Sequence, residues 1–325
     1  MSPASQPSAP PAAGHTSRTA SPHGTGTCRS ALLRTGVVTA AAIALLAGAT
    51  AAATAAPAPE HPAGRTAQRA AGEVRYVALG DSYSSGLGIP EQTDSLCGRS
   101  SNNYPSLVAR AVGATSFTDV TCAGADTSDM TGRQDSAPPQ LDALRPDTTL
   151  VTLGIGGNDL DLGGVITRCV LLGYLAPNGS PCKQSYTLLG TDEIGSRINT
   201  TAPRIDTVLA EIHARSPRAR VLLVGYPALF PDDGTACRET VALATGDFPW
   251  VRDKEKQLNT MLAQQANVYD ATYVDAYRPS IGHDVCKPAG VRWIEPGDSA
   301  EAAGFHPNAA GHRSTADAVL ASLTR

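Results

Sequence analysis

Val74-Arg75-Tyr76-Val77-Ala78-Leu79-Gly80-Asp81-Ser82-Tyr83-Ser84-Ser85-Gly86 is the stretch that decides how the chain is read. Val74 to Leu79 is a short β-rich run, and Gly80 ends it. A serine placed directly after a strand can stand exposed at the carboxyl edge of a sheet. Its hydroxyl is a weak nucleophile until a base takes the proton. The same residues also suit a plain Gly/Ser turn, with Ser82 capping a helix. The pattern is not G-x-S-x-G, so it gives no support to the nucleophile elbow of the α/β-hydrolases.

Outward from this stretch the pattern repeats. Thr149 to Leu153 is a second β-rich run ending at Gly154, and Val221 to Val224 a third ending at Gly225-Tyr226-Pro227. Tyr273 to Asp275 is a candidate fourth. Helical periodicity lies between and after them, over Tyr104–Val112, Ile194–Ala214, Trp250–Ala266 and Asn308–Leu323. Strands alternating with helices predict an α/β fold, a three-layer α/β/α sandwich on a mainly parallel sheet. Ligands in such sheets bind at the carboxyl ends of the strands, where three of these runs end in Gly-rich turns.

Composition divides the chain. Residues 1–70 hold five Arg, one acid (Glu60) and no aromatic residue. The remaining residues, 71–325, then carry 21 Lys+Arg and 29 Asp+Glu, a formal charge of −8 against −4 for the whole chain. This excludes a polybasic nucleic-acid binder and a disordered or collagen-like chain. Arg29 and Arg34 precede an apolar run from Val37 to Ala47, and Ala-x-Ala sites follow. Residues 1–56 therefore read as a leader with a secretory signal peptide, 57–70 as a flexible linker and 71–325 as one domain. The run is too weakly apolar to match the roughly 20 residues of a membrane span.

Cys28 lies in the leader, which leaves six cysteines. An even set fits disulfides in an oxidising compartment, with free core thiols as the alternative. Pairing between sequence neighbours is favoured, Cys97–Cys122, Cys169–Cys182 and Cys237–Cys286, although many connectivities are open. No C-x-x-C or H-E-x-x-H occurs, so no metal site is expected.

Two further turns carry candidate chemistry. Gly124, in Thr121-Cys122-Ala123-Gly124-Ala125, lets a backbone N–H approach an oxyanion with no side chain in the way. Asn158, in Gly156-Gly157-Asn158-Asp159, can aim an amide across the sheet edge. Each residue suits an ordinary turn equally well, and Asp159 reads as a turn partner rather than a base. Of the four histidines after Ala70, His213 reads as a surface residue near a helix end and His312 as partly exposed, with His283 the third. His306, in Phe305-His306-Pro307-Asn308, opens the last helical pattern and is the best placed general base.

Taken in order, Gly80-Asp81-Ser82, Gly124, Gly157-Asn158-Asp159 and His306 resemble the GDSL, or SGNH, hydrolase family. The GDSYSSG form, the six cysteines and the HPN ending are most similar to its secreted actinobacterial branch of Streptomyces-type lipases and esterases. The resemblance spans roughly residues 74–323 and implies the flavodoxin-like SGNH fold. It implies Ser82 as nucleophile and His306 as base. The Ser82 and Gly124 N–H groups and the Asn158 side chain would form the oxyanion hole. The family carries Asp three residues before the His; here that position is Ala303. A backbone carbonyl near Ala303 is therefore expected to orient His306, with Asp298 and Asp284 as the other acids to consider.

The implied reaction needs no cofactor. The expected substrates are lipid or other esters, with a phospholipase A-type enzyme, a carbohydrate acetylesterase and a non-catalytic secreted binding protein as alternatives. Val170-Leu171-Leu172, between Cys169 and Cys182, is the candidate acyl wall. Only Trp250 and Trp293 offer tryptophan platforms for sugar. A monomer is expected, secreted, making at most transient contact with lipid surfaces and binding no nucleic acid.

Overall fold

Side-chain alternation along β1 (Arg75–Gly80) builds a layer on each face of a sheet. Tyr76 and Ala78 point into a cluster with Val108 and Ala109 on one side of the sheet, joined by Ala316 and Val319. Val77 and Leu79 point the other way, into the larger cluster with Ile205, Leu209, Leu258 and Leu262. Each Val, Leu or Ile among them contributes roughly 1.5–3 kcal/mol when fully buried. The computed structural model describes residues 72–324, within the unit Thr66–Arg325. The leader, signal peptide and linker expected over residues 1–70 lie outside the described residues.

The strands are β1, β2 (Gln92–Asp94), β3 (Arg99–Ser100), β4 (Ser116–Asp119), β5 (Leu150–Gly154), β6 (Arg220–Val224) and β7 (Thr272–Val274). The helices are α1 (Ser82–Ser85), α2 (Tyr104–Ala111), α3 (Leu162–Leu175), α4 (Pro181–Tyr186), α5 (Glu193–Arg215), α6 (Asp247–Val268), α7 (Tyr277–Ser280) and α8 (Ala309–Leu323). The main sheet runs β4-β1-β5-β6-β7 with every pair parallel, and β2 and β3 form a separate antiparallel ribbon. Counted within the main sheet, the order is second, first, third, fourth, fifth. This is the doubly wound, flavodoxin-like arrangement, with α2 and α8 on one face and α5 and α6 on the other. Its switch point lies between β1 and β5, where the strand order reverses. The register pairs Gly80 with Gly154, so the turns after β1 and β5 leave the sheet side by side.

The three expected disulfides are formed: Cys97–Cys122, Cys169–Cys182 and Cys237–Cys286. Cys97–Cys122 joins the ribbon loop to the turn that carries Gly124. Cys169–Cys182 ties α3 to α4.

Candidate active site

Ser82 is the first residue of α1, directly behind β1. The turn requires Gly80. Its φ is +149°, and a Cβ there would lie 2.5 Å from both the Gly154 oxygen and Ser84 Oγ. Gln140 clamps this glycine, accepting from its N–H at 2.7 Å and donating to its carbonyl at 2.9 Å. Asp81 caps α1 by accepting from the Tyr83 N–H at 2.9 Å. Its other oxygen accepts from Tyr226 Oη at 2.6 Å, and the same Oη accepts the Gly157 N–H at 2.7 Å. One phenol thus joins the ends of β1, β5 and β6.

The structure brings Ser82 and His306 together, with His306 Nε2 2.8 Å from Ser82 Oγ. The other ring nitrogen, Nδ1, lies 2.7 Å from the Gly304 carbonyl oxygen. A carbonyl can only accept, so Nδ1 carries the proton and the Nε2 lone pair faces the serine. Burial is the largest influence on this imidazole and pulls its pKa below 6.5; the Gly304 bond and the Asp298 charge oppose it.

The orienting carbonyl therefore belongs to Gly304, not to Ala303. Phe305 adopts φ +59°, and this left-handed turn aims the carbonyl two residues before His306 at its ring. The Ala303 carbonyl instead accepts the His306 backbone N–H at 3.2 Å. The Phe305 turn is held on both sides. Tyr83 Oη donates to the Phe305 carbonyl at 2.6 Å, and the Phe305 N–H donates to the Glu295 carbonyl at 2.6 Å. Asp298 Oδ1 accepts the Gly304 N–H at 2.8 Å, so it acts on the histidine by its charge and not by a hydrogen bond to the ring. Asp284 accepts from the Cys286 N–H at 3.0 Å.

Asn158 opens a short 3-10 turn after β5 and lines the cavity next to Ser82. Its Nδ2 donates to the Ala125 carbonyl at 2.8 Å, which locks the side chain beside the Gly124 turn and leaves one amide hydrogen free. Gly124 has φ +83°. Among the described residues its N–H, like that of Ser82, meets no acceptor. Gly124 itself does not line the cavity. Asp159 is a brace, taking hydrogen bonds from the Thr127 N–H at 3.1 Å and from the Thr127 hydroxyl.

Two histidines depart from expectation. His312 is 1% exposed rather than partly exposed, and its Nδ1 accepts the Tyr104 N–H at 3.1 Å. Burial pushes its pKa down to about 3. His213 is half-buried, with Nε2 2.8 Å from the Tyr269 carbonyl. His283 stacks on Trp293 with ring centroids 3.7 Å apart.

The cavity holds about 400 Å³, a volume suited to a small ligand. Asp81, Ser82, Asn158 and His306 occupy its polar end, and Leu162, Ile166, Val170, Leu229 and Phe305 form the apolar wall. Of the expected wall, only Val170 lines it: Leu171 faces solvent and Leu172 packs on the core. Neither tryptophan reaches it, and Trp250 is buried against Tyr186. Among the described residues, no group of three or more His, Cys, Asp or Glu side chains is placed to hold a metal ion.

Tyr83, Tyr226, Gly304 and Gln140 have no counterpart among the expected site residues. Tyr226 does carry a signal, since it follows a strand at the same sheet edge as Ser82 and Asn158.

Comparison with known proteins agrees with this geometry. Residues 78–314 match the GDSL-like Lipase/Acylhydrolase family. Lipase 2 of Streptomyces coelicolor is 42% identical over 254 residues, covering 75% of this chain and 84% of the relative. Among solved structures, phospholipase A1 from Streptomyces albidoflavus superposes with a TM-score of 0.64 at 30% identity, covering 78% of this chain and 98% of its own. An extracellular lipase from Streptomyces rimosus gives 0.61 at 27% identity, covering 77% and 99%. Together the sheet order, the Ser82–His306 pair and these likenesses place the chain in the GDSL-like lipase/acylhydrolase family of carboxylic ester hydrolases.

Proposed function

We propose that the protein is a secreted serine hydrolase of lipid carboxylic esters, working through a Ser82–His306 dyad. The 2.8 Å approach of His306 Nε2 to Ser82 Oγ carries this reading. Ser82 Oγ attacks the acyl carbonyl as Nε2 takes its proton. The carbonyl oxygen becomes an oxyanion facing the Ser82 N–H and the free Asn158 amide hydrogen, with the Gly124 N–H as the third donor that the family resemblance implies. His306 then returns the proton to the leaving alkoxide, which departs as the alcohol. Water, deprotonated by Nε2, releases the acid from the acyl-serine. The Gly304 carbonyl holds the tautomer throughout. The Asp298 carboxylate, bonded to the N–H of Gly304, supports positive charge on the ring. No cofactor enters the cycle.

The apolar wall favours a fatty acyl chain over a sugar. No aromatic platform of tryptophan lines the cavity, which weighs against a carbohydrate acetylesterase. The three disulfides and the leader pattern support export, and a monomer remains the expected state. Fluorophosphonate labelling tests the dyad: wild type labels and Ser82→Ala does not. No labelling of folded wild type overturns the hydrolase reading. A chain-length series of p-nitrophenyl esters, run beside phospholipid and acetylated sugar, tests the substrate class; a preference confined to acetyl overturns the lipid assignment.

A further inference from the structure

The acyl wall does not stop at the cavity. Leu162, Ile166 and Val170 stand four residues apart on one stripe of α3, and all three line it. The next position on that stripe is Tyr174, one helical turn further on and 76% exposed. Leu171 and Leu175 flank it, 58% and 69% exposed. Large apolar side chains rarely gather on a surface without a partner. Here they crowd the end of the helix that walls the candidate active site.

The segment at this end has a charge balance unlike the domain's average, and the acids that flank it, Asp161, Asp192 and Glu193, are paired with Arg197 and Lys254. Residues 162–191 contain Arg168 and Lys183 and no acid, in a domain whose formal charge is −8. Arg168 lies three and seven residues before Leu171 and Leu175, on the same side of α3. Its guanidinium is poised over the Tyr186 ring, 4.7 Å from the centroid. Arg238 donates to the Gly173 carbonyl at 3.2 Å, next to Tyr174. The end is also rigid. Cys169–Cys182 ties it to α4, and Asp247 caps α4 by accepting from the Cys182 and Lys183 N–H groups at 3.0 and 2.9 Å.

We propose that the C-terminal end of α3 is a docking surface for a phospholipid aggregate. Tyr174, Leu171 and Leu175 enter the acyl region while Arg168 and Lys183 meet the phosphates. A tyrosine suits this place, with an apolar ring and a hydroxyl that stays at the wet boundary. Cations beside the apolar tip match phosphate groups, which neutral lipid lacks. A chain leaving the bilayer at Tyr174 enters the stripe at Val170 and reaches Ser82 without crossing water. This surface rests on the hydrolase reading for its purpose, but its binding can be measured without turnover.

The test uses the full chain, made in the same host for every variant, so that any affinity of residues 1–71 is common to all arms. Sedimentation with phosphatidylcholine vesicles measures binding for Ser82→Ala and for Ser82→Ala with Leu171→Ser, Tyr174→Ser and Leu175→Ser. The triple change is expected to weaken partitioning by roughly 10-fold or more, given the apolar area removed. The same triple change in active protein is expected to leave hydrolysis of monomeric p-nitrophenyl butyrate within about two-fold, because none of the three side chains lines the cavity. Arg168→Gln with Lys183→Gln should weaken binding to phospholipid but not to a triolein emulsion. Unchanged vesicle partitioning in the triple variant overturns the proposal. So does equal loss on emulsion and vesicle in the charge variant, or a wild-type dimer that the triple change dissociates. Loss of butyrate hydrolysis in wild type would instead count against the hydrolase reading, leaving the binding result to stand.

Discussion

Tyr226→Phe removes one oxygen atom and keeps the ring. That oxygen donates to Asp81 Oδ2 at 2.6 Å and accepts the Gly157 N–H at 2.7 Å, all among buried residues. The variant leaves the Gly157 N–H unpaired, at a cost of about 1–3 kcal/mol. Asp81 loses a donor worth about 1.5–3 kcal/mol when the carboxyl is ionised and about 0.5–1.5 kcal/mol when it is neutral. Burial pushes the Asp81 pKa up to about 7 from 3.8, and the Tyr226 bond opposes that rise. The folded state therefore holds a proton that the unfolded chain has released, so this group's contribution to stability falls as pH rises from about 4 to about 7. Removing the Tyr226 donor raises the folded pKa further and extends the fall to higher pH. The variant should cost about 2.5–6 kcal/mol near pH 9 and about 1–1.5 kcal/mol less near pH 5. Urea unfolding of wild type and variant at both pH values, with disulfides intact, reads this difference directly. A cost below about 1 kcal/mol at the higher pH, or one equal at both, would refute the bridge as drawn.

Asn158→Ala should lower kcat by about 10²–10³-fold with KM little changed, as for loss of one oxyanion donor; steady-state kinetics on a soluble ester checks it. The acid limb of kcat/KM should fall below pH 6.5, because burial depresses the His306 pKa and activity is lost as pH drops through it; a limb above that value contradicts the assignment. Asp298→Asn keeps an oxygen for the Gly304 N–H and should hold kcat within about 10-fold, as should Asp284→Asn; a loss of about 10³-fold in either would mean a carboxylate acts as a true triad member. Replacing Cys169 and Cys182 with Ala opens a link spanning 13 residues and should cost about 2–4 kcal/mol, read as a lower Tm.

The core of the fold was legible because its strands are buried on both faces. β5 and β6 read as continuous apolar runs, and long α5 showed a clear helical period. β4 was not legible. Ser116-Phe117-Thr118-Asp119 is an edge strand, mostly exposed and bonded on one side only, so nothing forces an apolar pattern. Phe117 is its one anchor, stacking on Tyr76 at 5.0 Å. α3 was read as a set of wall residues and not as a helix, since three glycines interrupt it. Two of these have local reasons. Gly164 packs against the capping carboxylate of Asp161, and Gly173 lets the Ala242–Ala244 backbone pass close by. Packing overrides helix propensity at both.

Ser82, Asn158 and His306 could be singled out as candidates because each sits next to the end of a strand or the start of a helix, and the structure gathers all three at one cavity. What the sequence concealed was the peptide that orients the base. A side-chain carboxylate leaves a letter in the sequence; a backbone carbonyl leaves none, because every residue has one. Which carbonyl serves depends on the direction of the chain, here on the positive φ at Phe305, and phenylalanine gives no warning of a left-handed turn. That conformation persists because tertiary bonds impose it, from Tyr83 and Glu295 on the two sides of Phe305 and from Asp298 to Gly304. The carboxylate missing at Ala303 is thus not simply absent. Asp298 supplies a nearby charge and fixes the Gly304 N–H, while the following peptide, whose carbonyl faces the imidazole, is held at its own N–H by the Glu295 carbonyl. The proposed base is positioned by a backbone that its neighbours hold in place, so Tyr83, which packs beside His306 and pins the Phe305 carbonyl, becomes part of what the proposed catalysis requires.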